Sequence, residues 1–128
     1  METGLFYVVP NGLNLINYKD SKQYHKIRSA TKAVAIDIHF SADQVYWSDI
    51  IKRSISRAYV NGTDVEIVVQ NAGLCEGIAV DWVSRLLFWT NSYHKRIEVS
   101  HLDGRDRCIV INSGLDSPRA IIADPKSR

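Results

Sequence analysis

The chain has 128 residues, the size of one ordinary domain or of a piece of a larger one. Its hydrophobic fraction of 45% is normal for a folded protein, and 16 basic against 14 acidic residues give no reason to expect nucleic acid or an anionic membrane as a partner. Apolar runs long enough to span a bilayer are missing from this sequence, as are the basic segment and long apolar core of a signal peptide, so we expect neither feature in it.

The first 32 residues contain three strand-like runs. "LFYVV" and "LNLINYK" lie on either side of the turn sequence "PNG", and "YHKIRS" follows them. No run ahead of them resembles the small-residue strand that opens each later unit. We therefore expect residues 1–32 to form about three strands of an incomplete sheet.

Two longer units follow, and each contains four short runs separated by turn-forming residues. In the second unit the runs are "GIAVDW", "LLFWTN", "RIEVSHL" and "DRCIVI". Asn61-Gly62 and Asp103-Gly104 occupy the same point of both units, and such pairs favour a tight reversal between antiparallel strands. No stretch shows the sustained apolar spacing of a helix. The runs of the first unit are Ala33–Ile38, Gln44–Asp49, Ser54–Val60 and Val65–Val69.

The units repeat in register with a period of about 42 residues, so that Trp89 answers to Trp47. Four antiparallel strands per repeat of this length are typical of the blade of a β-propeller. A third small-residue run, "AIIAD", ends at Asp124 and would start another blade. The sequence therefore predicts an all-β chain of about three blades, roughly half of a six-bladed ring. The expected divisions are an incomplete blade at 1–32, blades at 33–73 and 74–114, and the first strand of a truncated blade at 115–128.

The sequences "YWSD" at 46–49 and "FWTN" at 88–91 resemble the YWTD motif of low-density lipoprotein receptor class B repeats. "GIAVDW", "RIEVSHLDG" and "LDSPRAIIADP" are similar to further phrases of that repeat, and "ISRAYVNG" resembles the Wnt co-receptors within the family. The resemblance implies a six-bladed YWTD propeller from an extracellular receptor. Phe88 and Asn91 depart from the motif. Because the motif's final Asp links strands and neighbouring blades in the family, the neutral Asn91 predicts weaker cohesion between blades there.

The motif residues are expected to be structural. Trp47 and Trp89 recur at one repeat position, where packing between blades is the favoured role of a large aromatic side chain. Asp37, Asp81 and Asp124 each end the first run of a unit. Because this Asp recurs once per repeat, we expect its carboxylate to accept backbone N–H groups in the following turn. A metal cluster or an acid–base pair is the less favoured interpretation. The expected structural residues are Tyr46, Trp47, Asp49, Phe88, Trp89, Asn91, Asp37, Asp81 and Asp124.

A charged repeat position predicts a binding face. Lys32, Glu76 and Arg119 each precede the first strand of a unit, near the expected mouth of the propeller channel. Tyr93 lies in a loop between second and third strands, which should share that face. Loops on one rigid face commonly bind ligands, and in the family this face receives protein ligands. A charged face that only aids solubility is the alternative. The expected ligand-binding residues are Arg119, which would pair with a ligand acid, Glu76, Lys32, Lys52, Arg53 and Tyr93.

Enzyme chemistry is not indicated. The four histidines are scattered, and no phosphate-binding loop, paired metal ligands or nucleophile with a base is present. We expect no cofactor and no metal. Two cysteines, Cys75 and Cys108, are too few for a disulfide framework or a zinc site. The sequence leaves open whether they form one disulfide bridge or are two free thiols. Asn61 begins the sequon "NGT" and is a candidate for glycosylation.

By resemblance, the chain belongs to an extracellular, ligand-binding propeller of a low-density lipoprotein receptor-related receptor. The parent would lie on the extracellular face of the plasma membrane and carry EGF-like modules. Its partners would be extracellular proteins, such as Wnt-pathway ligands or antagonists. Two half-propellers could also pair with each other. The alternatives are a structural matrix propeller of the nidogen type, a propeller hydrolase, and a truncated fragment without autonomous function.

Overall fold

Three antiparallel β-sheets make up the computed structural model, which describes residues 4–9, 12–17, 24–27, 33–39 and 42–111. Each sheet is a meander in which strands that follow one another in sequence pair with each other. The expected all-β architecture with four-stranded antiparallel sheets is confirmed. The first sheet contains β1 (Gly4–Val9), β2 (Gly12–Asn17) and β3 (Tyr24–Ile27); the second contains β4 (Ala33–His39), β5 (Gln44–Asp49), β6 (Ser54–Tyr59) and β7 (Glu66–Val69); the third contains β8 (Ile78–Asp81), β9 (Leu86–Asn91), β10 (Arg96–His101) and β11 (Cys108–Ile111).

The two four-stranded sheets repeat the irregularities of the backbone as well as its strands. A β-bulge interrupts the pairing of the third and fourth strands at Ile55/Ser56 in one sheet and at Ile97/Glu98 in the other. Left-handed residues also recur at equivalent positions, although non-glycine residues rarely adopt this conformation. The fold of the repeat therefore imposes one backbone on unlike side chains. The equivalent left-handed pairs are Asp43 and Arg85, Arg53 and Lys95, Gly62 and Gly104, and Asp64 and Asp106.

The fourth strand of each unit begins later than its apolar run suggests. β7 starts at Glu66 instead of Val65, and β11 starts at Cys108 instead of Asp106. Asp64 and Asp106 have φ of 55° and 56°, which is incompatible with an extended strand. Within the described ranges, no helix has the length and apolarity needed to cross a bilayer.

The first sheet corresponds to the second, third and fourth strands of the later sheets. Residues 18–23 separate β2 from β3, and connections of the same length, residues 60–65 and 102–107, separate the third and fourth strands of the later sheets. In addition, β1 lies against β4 as β5 lies against β8.

The second sheet carries apolar side chains on both of its faces. Alternation along β5 directs Tyr46 towards the third sheet, where it joins a buried cluster that includes Leu87 and Trp89. Val45 and Trp47 point the other way and form a second cluster. A blade therefore cannot bury its own faces and needs a neighbour on each side.

Candidate functional site

Three connections meet at one end of the second and third sheets. The connection between the sheets lies between two turns, because the Ala72 N–H donates to the Arg53 carbonyl at 2.7 Å and the Ser92 N–H donates to the Leu74 carbonyl at 3.0 Å. This pairing brings turns from two blades onto one surface. The three connections are residues 50–53, 70–77 and 92–95.

The last residue of each YWTD-like motif fixes the turn that follows it. Asp49 Oδ1 accepts the backbone N–H groups of Ile51 and Lys52, both at 2.9 Å. Asn91 Oδ1 accepts the His94 N–H at 3.1 Å in the equivalent turn. Such caps satisfy backbone donors that would otherwise need water, and they hold the turn in one conformation.

Exposed side chains from the two turns meet across the blade boundary. The Arg53 guanidinium carbon lies 5.9 Å from the centre of the Tyr93 ring, within range of a cation–π interaction. The ring of His94 packs edge-on against Tyr93, with centroids 4.9 Å apart. Tyr93 and Ile51 are 66% and 69% exposed, respectively. We call these four residues, Ile51, Arg53, Tyr93 and His94, the Arg53–Tyr93 patch.

The other expected binding residues do not share the direct contact that joins Arg53 and Tyr93. Lys52 is exposed in the same turn as Arg53, and Glu76 is half-buried in the connection between the sheets. Lys32 and Arg119 lie outside the described residues. Among the expected residues that are described, the structure joins Arg53 to Tyr93 by direct contact.

Tyr46 links neighbouring blades through its hydroxyl group, which donates to the Leu102 carbonyl at 2.9 Å. Arg57 Nη1 donates to the same carbonyl at 3.1 Å. Leu102 begins the turn between β10 and β11, and a Cβ on Gly104 in that turn would overlap the Val68 carbonyl oxygen of the second sheet. At the position equivalent to Tyr46, Phe88 is half-buried and has no hydroxyl group to make such a bond.

Asp37 makes a wider contact than the local turn contact expected of it. Its Oδ1 accepts the Ile38 N–H at 2.8 Å, and its Oδ2 accepts the Val80 N–H of the next blade at 2.7 Å. Burial raises the pKa of Asp37 despite these two hydrogen bonds. Asp81 Oδ1 accepts the Ser84 N–H at 3.2 Å in the turn that follows β8. Asp124 lies outside the described residues.

A buried carboxylate lies beside Asn91, the position at which weaker contact between blades is expected. Asn91 Nδ2 donates to Glu98 Oε2 at 3.2 Å, and Glu98 is 1% exposed. Arg107 Nε donates to Glu98 Oε1 at 2.7 Å, and the same guanidinium donates to the carbonyls of Gln70 and Asn71, at the end of the preceding blade. The lost motif charge is thus replaced by a Glu98–Arg107 pair that spans the blade boundary.

Glu98 and Arg107 were missed by reasoning from the shared motif, because their repeat equivalents are Ser56 and Val65. A signal was nevertheless present: two opposite charges appear together in one repeat at positions that are uncharged in the other. Burial acts to raise the pKa of Glu98, but the hydrogen bonds from Arg107 and Asn91 outweigh it and hold that pKa below its ordinary value of 4.5.

The remaining candidates are placed as follows. Cys75 is a buried free thiol and Cys108 an exposed one, so the two are not bridged. Asn61 is exposed, and its Oδ1 accepts from the Thr63 hydroxyl at 2.7 Å. Among the described residues, no three His, Cys, Asp or Glu side chains converge in a way that would hold a metal ion.

Comparison with known proteins gives one family and one fold. The family model for the low-density lipoprotein receptor repeat class B matches residues 43–82 and 85–125. Low-density lipoprotein receptor-related protein 5 of Mus musculus is 41% identical over 96 residues, which cover 73% of this chain but 6% of that protein. This chain therefore spans a small part of the relative's length.

Two solved structures are also similar. A chain in a crystal structure of a nidogen/laminin complex superposes with a TM-score of 0.87 at 27% identity, over 97% of this chain and 50% of that one. The β-propeller domain of Cps50 (Swd1) from Myceliophteria thermophila superposes with a TM-score of 0.65 over 95% of this chain and 43% of that one. At 11% identity, this second likeness supports the propeller fold alone.

Proposed function

This chain belongs to the family of low-density lipoprotein receptor class B repeats, and from that premise we propose that it is a ligand-binding segment of an extracellular receptor propeller. The receptor is of the low-density lipoprotein receptor-related, Wnt co-receptor type. The 41% identity to low-density lipoprotein receptor-related protein 5 supports this assignment. The segment recognises a protein partner and performs no catalysis.

The observation that carries the proposal is the contact of Arg53 with Tyr93 across two blades. An exposed aromatic ring with a cation over it can bury apolar surface of a partner and pair with a partner carboxylate in one event. The caps from Asp49 and Asn91 hold both turns in one conformation before a partner binds. The turns therefore lose less conformational entropy on binding. The partner surface is therefore an acidic group beside an apolar side chain.

The less closely placed residues extend the same site in this proposal. Lys52 and Glu76 act at the rim of the patch, and Lys32 and Arg119 contribute from the equivalent positions of the neighbouring blades. The blades are assigned to residues 33–73 and 74–114, preceded by the incomplete blade at 1–32 and followed by the strand at 115–128.

An extracellular setting follows from the proposed receptor. The parent protein displays the propeller on the outer face of the plasma membrane, next to EGF-like modules. Asn61 then carries a glycan, since its exposed side chain is open to the transferase. Deglycosylation by peptide N-glycosidase of protein secreted from mammalian cells tests this point. We expect a loss of mass that is absent from Asn61→Gln.

A matrix propeller of the nidogen type is the second candidate, because a chain from the nidogen/laminin complex superposes over 97% of this chain. The two candidates differ in their partner. A receptor propeller of the Wnt co-receptor type binds secreted Wnt-pathway ligands or antagonists, whereas a nidogen-type propeller binds laminin.

Biolayer interferometry on the immobilised chain tests both candidates, with a panel of purified Wnt-pathway ligands and antagonists, and laminin, as probes. We expect at least one Wnt-pathway protein to bind. Tyr93→Ala or Arg53→Ala should weaken binding about tenfold or more, which is typical of a central aromatic or arginine contact.

Trp82→Ala is the matched control, because Trp82 is also an exposed aromatic residue, 45% exposed, but lies in the β8–β9 turn at the opposite end of the sheet. It should leave binding unchanged. Binding of laminin alone would favour the nidogen-type function, and binding that ignores both patch variants would contradict the proposed site.

A further inference from the structure

Arg53 and Lys95 place a positive charge at the same position of two neighbouring blades. Arg53 ends the turn after β5 and Lys95 ends the turn after β9, and both residues are exposed. Both have a left-handed backbone, with φ of 55° and 54°. Because the two turns share this conformation, the two Cβ atoms leave their turns in equivalent directions. The contact of Arg53 with Tyr93 joins the turns across the blade boundary, so both cations belong to one surface.

These cations are not neutralised by neighbouring acids. Among the described residues, Arg53, Lys95 and the exposed Lys52 form no ion pair. Of the described acids, Glu76 lies in the connection between the sheets and is half-buried. Asp49 ends β5 and is 5% exposed, with its Oδ1 turned towards backbone N–H groups. The exposed surface at this end therefore carries an excess of positive charge.

The opposite end of the two sheets carries charges of both signs. The charged residues in its described turns are Asp43, Asp64, Asp103, Asp106, Arg85, Arg105 and Arg107. At this end Arg105 pairs with Asp103 at 2.6 Å, and Asp106 lies 3.2 Å from His101. The whole-chain charge of +2 does not reveal the difference, because it sums both ends. Exposed cations gathered at one end are the arrangement that attracts an anionic ligand.

Cations spread over two turns favour a ligand with several anions. A single carboxylate pairs with one of them, and one exposed ion pair contributes little. A polymer with repeated anionic groups contacts both turns together and releases several counterions, so its affinity is built from many weak contacts. The caps from Asp49 and Asn91 hold both turns before binding. Outside the cell, the common polymers of this kind are sulfated glycosaminoglycans, whose sulfate esters stay ionised at physiological pH.

We propose that this end of the second and third sheets binds a sulfated glycosaminoglycan, with Arg53 and Lys95 as the principal contacts. Lys52 contributes from the outer margin, where it lines a cavity with Val65. The choice of a glycan over a nucleic acid rests on the extracellular setting proposed above, whereas the anion-binding surface does not. Arg53 also belongs to the Arg53–Tyr93 patch, so a glycan and a protein partner compete for it.

The test is a titration of a fluorescein-labelled, heparin-derived octasaccharide with the full chain, followed by fluorescence anisotropy. The comparison ligands are the same octasaccharide after chemical desulfation and an oligoglutamate peptide of equal total charge. We expect the sulfated octasaccharide to bind at least about tenfold more tightly than either. Its affinity should fall about tenfold between about 50 and 150 mM NaCl, as roughly three ionic contacts require. Equal binding after desulfation would overturn the proposal, and equal or tighter binding of oligoglutamate would replace the glycan with an acidic peptide.

Charge-removing variants locate the binding. Arg53→Gln and Lys95→Gln should each weaken octasaccharide binding about fivefold, the upper range for an exposed ion pair. Lys95→Arg keeps the charge and should retain the affinity. Arg85→Gln is the matched control, because Arg85 is also exposed and left-handed, with φ of 59°, but lies in the β8–β9 turn at the opposite end. It should change the affinity less than about twofold. An equal loss from Arg85→Gln would show attraction to net charge alone and would contradict the site.

A further variant separates this inference from the function proposed above. Tyr93→Ala removes the aromatic ring of the patch but no charge, so it should change octasaccharide affinity less than about threefold while it weakens binding of a protein partner. Octasaccharide binding that depends on Lys95, without binding of any Wnt-pathway protein or laminin, would support the glycan site and contradict the proposed function. Protein binding without octasaccharide binding would overturn the glycan site alone.

Discussion

At Asn91 a single side chain serves as acceptor and donor at once. Its oxygen caps the turn at His94, while its nitrogen reaches Glu98 at 3.2 Å. Asp49 caps its own turn in the same way, but the position equivalent to Glu98 in its blade is the uncharged Ser56. Glu98 therefore disfavours an acid at position 91, because a second carboxylate beside it would place two like charges in a buried space.

Restoring the motif acid should accordingly destabilise the protein. We expect Asn91→Asp to lower the free energy of unfolding at pH 7 by about 1 to 3 kcal/mol, because a donor to buried Glu98 becomes a like charge. Urea unfolding followed by tryptophan fluorescence measures this change. In a Glu98→Ser, Arg107→Val background, which reproduces the residues Ser56 and Val65 of the other blade, Asn91→Asp should have little effect. Equal losses in both backgrounds would refute the explanation.

The pH dependence of stability should contain a contribution from Glu98. Its pKa is lower in the folded chain than its ordinary value of 4.5, so the ionised form is favoured by folding. The stabilisation is fully present above pH 4.5 and is lost as the pH falls below that value through the folded pKa. Urea midpoints between pH 7 and pH 3 should therefore fall less steeply for Glu98→Gln than for the wild type. Parallel curves would contradict this.

At the scale of elements, the turn between β10 and β11 is the part that joins one blade to the preceding one. The carbonyl of Leu102 accepts hydrogen bonds from both Tyr46 and Arg57, and Gly104 packs against the backbone of β7. The sequence of the turn predicts only a tight reversal. Its docking surface depends on the neighbouring sheet, so the sequence of the turn alone does not reveal it.

Loss of these donors should weaken the contact between blades, and the two losses should not add. We expect Tyr46→Phe to lower the free energy of unfolding by about 1 kcal/mol, the ordinary contribution of a hydrogen bond. Arg57→Val alone should do the same or more. Because both donors share one carbonyl, the double variant should lose less than the sum of the two. It carries the residue types of Phe88 and Val99 at the equivalent positions, so it should still fold. Additive losses, measured by urea unfolding, would argue against shared donation.

At the scale of the molecule, neighbouring sheets pack face to face and bury each other's apolar side chains. Cys75 lies in the buried cluster between the second and third sheets. Its thiol is buried, and burial raises its pKa to about 12. Cys108 is exposed on the outer strand of its sheet. The two thiols should therefore differ strongly in reactivity, since the thiolate is the nucleophile.

Thiol labelling should report the integrity of the stack. With iodoacetamide at pH 8, Cys108 should be modified promptly and Cys75 about a hundredfold more slowly, at the rate at which the blades open. Mass spectrometry of tryptic peptides measures both rates. In Cys108→Ser, the fast phase should vanish, and urea should restore fast labelling of Cys75. A Cys75–Cys108 disulfide, or equal rates in the folded state, would contradict the structure.

The sequence by itself determined the strands, their order and the repeat, because alternation, turn residues and the period are local properties of the chain. It also indicated that Arg53 and Tyr93 would share a face. Only the tertiary structure decided that these two side chains touch, that Asp37 reaches Val80, and that Glu98 and Arg107 replace the charge absent from Asn91. Each of these depends on contact between blades, where a partner's identity and distance are set by packing and not by spacing along the chain.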